Sequence, residues 1–216
     1  MATVSLAGRD VTVSNIFCIG RNYAAHVAEL GNRPEAEPLV FLKPTSALLA
    51  DGGQIELPVY SQDVHHETEL VVLIGRDARH VAQADALDYV AGYGIGLDLT
   101  ARDTQSELKA KGMPWTKAKA FATAACVSAF APASAVANPQ ALTFSLTVNG
   151  ERRQQGDTAL MLFPLAQLIS FLSQHYGLTA GDLIYTGTPE GVARLQSGDV
   201  LALSLDGLAQ AQFTVA

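Results

Sequence analysis

Short apolar or alternating runs, each cut off by Gly, Pro, Asp or Asn, recur along the whole chain, and this punctuation is what most limits the fold. The clearest lie at 15–20, 38–43, 67–74, 90–99, 142–149, 182–186 and 199–205. Runs that short, bounded by turn residues, read as strands rather than as the longer periods of a helix bundle. Asn149-Gly150 follows the alternating LTFSLTV, and Asp206-Gly207 separates VLALSL from LAQAQFTV. Each pair supplies the positive-φ positions that a tight hairpin needs.

Helices are fewer. In 164–176, Leu165, Leu168, Ile169, Leu172 and Tyr176 recur at helical spacing, with Pro164 at the first turn and Gly177 at the stop. A second helix is expected over 101–111, ended by Gly112, and a short one over 23–30, ended by Gly31. The segment APASAVANPQ at 131–140 reads as the one long loop, and residues 1–15 as a small N-terminal flap or strand ahead of a single domain at 16–216. The fold class is therefore strand-rich mixed α/β with a few short helices.

With 49% hydrophobic residues, 16% charged residues and 216 residues in all, the chain can bury a sizeable core. Its formal charge of −7 comes without any Lys/Arg run, so nucleic acid is not an expected partner. No run of 18 apolar residues occurs, and the first twenty residues carry charges where a signal peptide needs an unbroken apolar stretch. Cys18 and Cys126 stand far apart in apolar surroundings and read as reduced, buried thiols. No membrane association is expected, and the localisation expected is cytoplasmic.

The densest group of chemistry-bearing residues is His65-His66-Glu67-Thr68-Glu69, leading into the apolar LVVLIG. On a strand, Glu67 and Glu69 share a face about 7 Å apart along the chain, so they either face solvent at an edge or flank a cation. Asp98 sits in VAGYGIGLDLT, where a lone carboxylate surrounded by apolar residues and glycine would cost several kcal/mol. Three carboxylates without an obligatory His or Cys suit a hard cation such as Mg²⁺ or Mn²⁺. His65 lies on the same strand face, which leaves a mixed His/carboxylate site open, while His66 faces away as a structural histidine.

His26 and Glu29 are one helical turn apart, either an ordinary surface pair or a dyad in which the carboxylate raises the basicity of the imidazole. Arg102 and Gln105 share a helical face just beyond Asp98, and Lys119 follows in the apolar PWTKAKAF. Both cations suit a substrate carboxylate or an enolate, with Asp103 or Glu107 as the ordinary partner of Arg102. The turn Thr186-Gly187-Thr188-Pro189 could receive an anion. The glycines of GYGIG do not form a dinucleotide fingerprint and fit close backbone packing within a strand.

IGRNYAAHVAEL, FLKP, HHETELVVLIG, DYVAGYGIGLDLTARD, KGMPWTKAKAF, LTVNGERRQ and GDLIYTGTPEGV, spread over nearly the whole chain in that order, resemble the fumarylacetoacetate hydrolase family. They are most similar to its short members, the acylpyruvate hydrolase and oxaloacetate decarboxylase/tautomerase group. The resemblance implies the β-sandwich roll of that family's C-terminal domain, usually dimeric. It implies Glu67, Glu69 and Asp98 as ligands of Mg²⁺ or Mn²⁺, and His26 with Glu29 as a water-activating dyad on a lid. Lys119 would contact a 2-oxo acid or its enolate, Arg102 and Gln105 would line the pocket, Thr188 would help hold the carboxylate, and Lys43 would be a further pocket residue.

Two departures from the long members stand out. No separate N-terminal domain is expected, and Ile19 stands at the position of an additional acidic ligand. The expected activity is accordingly metal-dependent hydrolysis of the C–C bond of a small acylpyruvate to pyruvate and a carboxylic acid. The alternative is decarboxylation or keto–enol tautomerisation of oxaloacetate, or isomerisation of an unsaturated 2-oxo acid, at the same site. A non-catalytic binding module is the reading from another class. The expected partners are a small 2-oxo acid and a second copy of the chain.

Overall fold

A computed structural model describes residues 1–216. Its first six strands are β1 (Thr3–Leu6), β2 (Arg9–Thr12), β3 (Ile16–Gly20), β4 (Leu39–Lys43), β5 (Leu48–Ala50) and β6 (Gln54–Ile55). The next six are β7 (Val64–His66), β8 (Thr68–Ile74), β9 (Val90–Asp98), β10 (Thr100–Ala101), β11 (Ala125–Val127) and β12 (Ala131–Pro132). The last six are β13 (Thr143–Val148), β14 (Glu151–Asp157), β15 (Leu183–Tyr185), β16 (Ala193–Arg194), β17 (Val200–Leu205) and β18 (Ala209–Val215). The α-helices are α1 (Ala24–Glu29), α2 (Arg102–Ala110), α3 (Thr116–Lys119) and α4 (Leu165–His175).

The main sheet runs β4-β3-β15-β8-β9-β11-β5, with β12 also paired to β9. Only β15/β3 and β11/β5 are parallel on that path. Its two edges, β4 and β5, are consecutive in sequence. Seven strands laid flat put the edges about 29 Å apart, whereas the chain from Lys43 to Leu48 spans at most about 18 Å. The sheet therefore has to curl, and the curl brings Lys43 on one edge to the end of β9 in the middle. A five-stranded sheet, β14-β13-β17-β18-β6, packs beside it, and a small sheet, β10-β7-β16, adjoins the site.

Burial follows the sequence pattern. Every residue of β8 is buried, as the unbroken run ELVVLI requires of a central strand, whereas β13 and β17 alternate buried and open positions with one face to solvent. Both hairpin turns form: Asn149 and Gly150 take φ of 53° and 80°, and Asp206 and Gly207 take 40° and 74°. In α4, Leu165, Leu168, Ile169 and Leu172 form the buried stripe, and Gly177 at φ 70° donates its N–H to the Leu172 carbonyl to close the helix.

The segment 131–140 is more ordered than a loop. It holds β12 and two short 3₁₀ turns, the second capped by Asn138, whose side chain accepts from the Gln140 amide. The first fifteen residues form the β1/β2 hairpin, tied to the domain by Phe130 N–H to Ser5 O at 2.7 Å and by buried Val4 and Val13. Cys18 and Cys126 are both free and fully buried. No helix is long and apolar enough to cross a membrane.

The glycines of GYGIG lie in β9 because other atoms occupy the space of a side chain. A Cβ on Gly96 would stand 2.4 Å from the Cys126 carbonyl and 2.8 Å from the Tyr185 ring. Gly96→Ala is expected to cost about 1–3 kcal/mol through overpacking, read as a lower denaturant midpoint at unchanged m-value. An unchanged midpoint would contradict that packing.

Candidate metal centre and pocket

The sheet topology delivers the chemistry to one end. β8 begins where its antiparallel neighbours β9 and β15 finish, and β3, parallel to β15, finishes at the same end. Glu69 at the start of β8, Asp98 at the end of β9, the Thr186-Gly187-Thr188 turn after β15 and the Arg21-Asn22-Tyr23 segment after β3 therefore converge.

Glu67, Glu69 and Asp98 are all buried, and each offers an oxygen within 4.8 Å of the others. Glu67 sits in a one-residue break between β7 and β8 rather than within a continuous strand, and its carbonyl accepts from the Asp98 amide at 2.9 Å. Burying three carboxylates requires compensation. Lys119 Nζ lies 2.6 Å from Asp98 and 2.9 Å from Glu67, Lys43 Nζ lies 2.8 Å from Asp98 Oδ1, and Arg102 pairs with Glu67.

The compensation is unequal. Burial works against the charge on Glu67, but Lys119 and Arg102 outweigh it and hold the carboxyl well below its ordinary value. Burial likewise disfavours charge on Lys119, and Asp98 with Glu67 reverse this, raising its pKa. Glu69 has no ion-pair partner and accepts only the Gly187 N–H at 2.8 Å. Burial, then Asp98 and Glu67, push its carboxyl well above the usual range. Asp98 Oδ1, although near Lys43, receives no aligned hydrogen bond. Three convergent oxygen donors, one lacking a cation and one lacking a donor, fit a hard divalent ion.

Lys43 is fully engaged behind the site. Its ammonium donates to the carbonyls of Leu99 and Lys119 besides meeting Asp98, and it does not line the pocket. The expected pocket role is thus replaced by an internal counter-ion, because the curl of the sheet turns β4 towards the back of Asp98. The mixed His/carboxylate site also fails, since His65 Nε2 meets Asp63 at 2.9 Å instead of joining the glutamates. His66 is the structural histidine: its Nδ1 donates to Gln154 Oε1 at 2.9 Å, and burial lowers its pKa.

Both ordinary partners considered for Arg102 are taken. Asp103 accepts from Ser61 Oγ and from the Gln62 and Thr104 amides, and Glu107 pairs with Lys111. Arg102 turns to Glu67 and to Gln105 Oε1, at 2.8 Å, and its Nε is buried without a partner. Thr188 lines the pocket, but its hydroxyl already donates to the Thr68 carbonyl and accepts from Gln154 Nε2.

Over the carboxylates stands α1. His26 is buried, and its Nδ1 donates to Glu29 Oε2 at 3.0 Å, so in the neutral imidazole Nε2 is the nitrogen free to accept a proton. Glu29 Oε1 in turn accepts from the Gly191 amide at 2.9 Å, so the dyad is moored to the segment between β15 and β16. Asn22, which the sequence did not single out, fixes the approach to α1. It donates to the Thr186 and Phe163 carbonyls and accepts from the Phe163 amide, all while fully buried. Arg21 before it adopts φ 61°, strained for a residue with a Cβ, and pairs with Glu35.

The pocket is walled by Ile19, Phe41 and Trp115, with Lys119 Nζ 4.8 Å from the Phe41 ring centroid. Arg21, His26, Arg102 and Lys109 also face it, so a cavity floored by acids is rimmed by bases. That combination suits an anion seated over a cation.

A buried oxygen-donor cluster, a lysine between the carboxylates and a His–Glu pair above them define a divalent-metal enzyme acting on a small anionic substrate. The profile of the fumarylacetoacetate hydrolase C-terminal domain matches residues 15–216, and the chain belongs to that family. The mitochondrial oxaloacetate tautomerase FAHD1 of Rattus norvegicus is 47% identical over 201 residues, covering 93% of this chain and 91% of the relative. The oxaloacetate tautomerase YcgM of Escherichia coli K12 is 46% identical over 199 residues, covering 92% and 91%. Among solved structures, a fumarylpyruvate hydrolase from Pseudomonas aeruginosa in complex with Mn²⁺ and pyruvate superposes with a TM-score of 0.94 at 37% identity, covering 100% of this chain and 97% of its own.

Proposed function

We propose that the protein interconverts the keto and enol forms of oxaloacetate, using Mg²⁺ or Mn²⁺ held by Glu67, Glu69 and Asp98. The observation that carries this reading is the 46–47% identity, over more than nine-tenths of each chain, to two oxaloacetate tautomerases. It favours the alternative drawn from the sequence over acylpyruvate hydrolysis. The pocket chemistry is consistent with it, since a proton transfer beside a carbonyl needs a base, an electrostatic partner for the enolate and shelter from water.

The ion supplies Lewis acidity that favours enolate over ketone. His26, held by Glu29 with Nε2 unprotonated, takes the C3 proton of the keto acid and returns it to the C2 oxygen, or runs the reverse. Lys119, held by Asp98 and Glu67 at the pocket lining, offsets the developing charge on that oxygen. Phe41 and Trp115 exclude bulk water from the exchange.

The test follows the ultraviolet absorbance of the oxaloacetate enol with and without Mg²⁺ or Mn²⁺, beside acetylpyruvate and fumarylpyruvate. Accelerated enol decay without loss of carbon dioxide or C–C cleavage supports the proposal. Faster consumption of an acylpyruvate than of the enol would return the protein to the hydrolases. His26→Ala is expected to lower the tautomerisation rate by roughly 10²–10⁴-fold. Calorimetry should find metal affinity unchanged in that variant, and parallel loss of both would refute the assigned role of His26.

A further inference from the structure

On α2, Arg102, Gln105 and Lys109 fall at i, i+3 and i+7 and form one face towards the pocket, running from the metal centre to its mouth. The first two are engaged by Glu67 and by each other. Lys109 is different. It makes no ion pair, and its ammonium meets only the neutral Asn32 Oδ1 at 3.3 Å. Partial burial, then the charges of Arg21 and Arg102, lower its pKa. Arg21 is neutralised by Glu35, so Lys109 is the rim cation without a counter-ion.

Position makes that charge useful. Helical side chains lean towards the N-terminus of their own helix, so the Lys109 stem is directed back along α2 towards Gln105 and Arg102. Its Cα lies about 10 Å along the axis from that of Arg102, beyond the metal-proximal end of the pocket. Asn32, just past α1, brings the His26 segment to the same spot.

We propose that Lys109 binds the second carboxylate of the substrate and so selects dicarboxylic 2-oxo acids over monocarboxylic ones. This rests on the tautomerase reading for its choice of oxaloacetate, but the subsite concerns binding and can be tested apart from catalysis. Oxaloacetate and pyruvate share the 2-oxo acid head and differ by the distal carboxylate. Calorimetry of the Mn²⁺-loaded protein with each gives a ratio of dissociation constants that isolates that group.

The wild-type protein should bind oxaloacetate more tightly than pyruvate. Lys109→Met should weaken oxaloacetate about tenfold, the scale of one charge-assisted hydrogen bond, with pyruvate unchanged. Lys109→Arg should restore most of the ratio. If Lys109→Met weakens both ligands alike, and Asn32→Ala does the same, Lys109 only fastens the α1 segment and the proposal is overturned. Equal affinity of the wild-type protein for the two acids overturns it as well. Selective binding without acceleration of enol decay would sustain the subsite while removing the tautomerase reading.

Discussion

Lys119→Met is expected to cost the metal-free protein about 3–5 kcal/mol, the usual effect of removing one partner from a buried ion cluster. Methionine keeps the length of the stem that passes Phe41 but removes the ammonium lying 2.6 Å from Asp98 and 2.9 Å from Glu67. Two carboxylates then share Lys43 and Arg102 alone, and Lys43 is already divided between Asp98 and two carbonyls. The melting temperature should fall by roughly 10 °C. Saturating Mn²⁺ should recover much of the loss, because a cation among the same carboxylates replaces the missing charge and binds only the folded state. A variant as stable as the parent without metal would show that Asp98 and Glu67 are not held as ions by Lys119.

That expectation exposes how the charges balance. The sequence suggests three acids that become nearly neutral once metal is bound. The structure instead surrounds Glu67, Glu69 and Asp98 with Lys43, Arg102 and Lys119, so the cluster balances formally before any metal arrives. A divalent ion then leaves the floor of the pocket positive. An acidic chain can thereby draw in an acid, and the −7 overall is no guide to the field at the site.

What was legible in the sequence was local. Asn149-Gly150 and Asp206-Gly207 specify their hairpins through backbone conformation, and the apolar stripe of α4 needs only its own residues. The three acids were legible because a lone Asp98 among apolar neighbours has few stable outcomes. The cations were harder to place. Lys43 reaches Asp98 only because the sheet curls, Arg102 turns to Glu67 only because Asp103 and Glu107 are spent elsewhere, and neither follows from spacing. Lys109 left a faint signal, seven residues after Arg102 on one helix face, and nothing within IGRNYAAHVAEL marked the role of Asn22, since its three hydrogen bonds span more than 140 positions of chain.

Glu69→Gln should separate function from stability more sharply than any other change. Glutamine retains an oxygen for the Gly187 N–H but carries no charge among Glu67 and Asp98. Metal affinity should fall about a hundredfold or more, since even altering a group behind a ligand costs 10–100-fold. The metal-free variant should nevertheless be about 1 kcal/mol more stable near neutral pH, because the parent must either ionise a buried carboxyl without a cation or keep it protonated. The folded carboxyl holds its proton above the ordinary value of 4.5, where the unfolded chain has released it. Its contribution is therefore fully present below that value and is lost as pH rises through the raised folded pKa. The parent without metal should accordingly lose stability with rising pH relative to Glu69→Gln, and metal should abolish the difference in slope by occupying the place of the missing cation. Parallel slopes without metal, or unchanged Mn²⁺ affinity in the variant, would remove Glu69 from the metal centre and leave it a buried acid with no function to justify its cost.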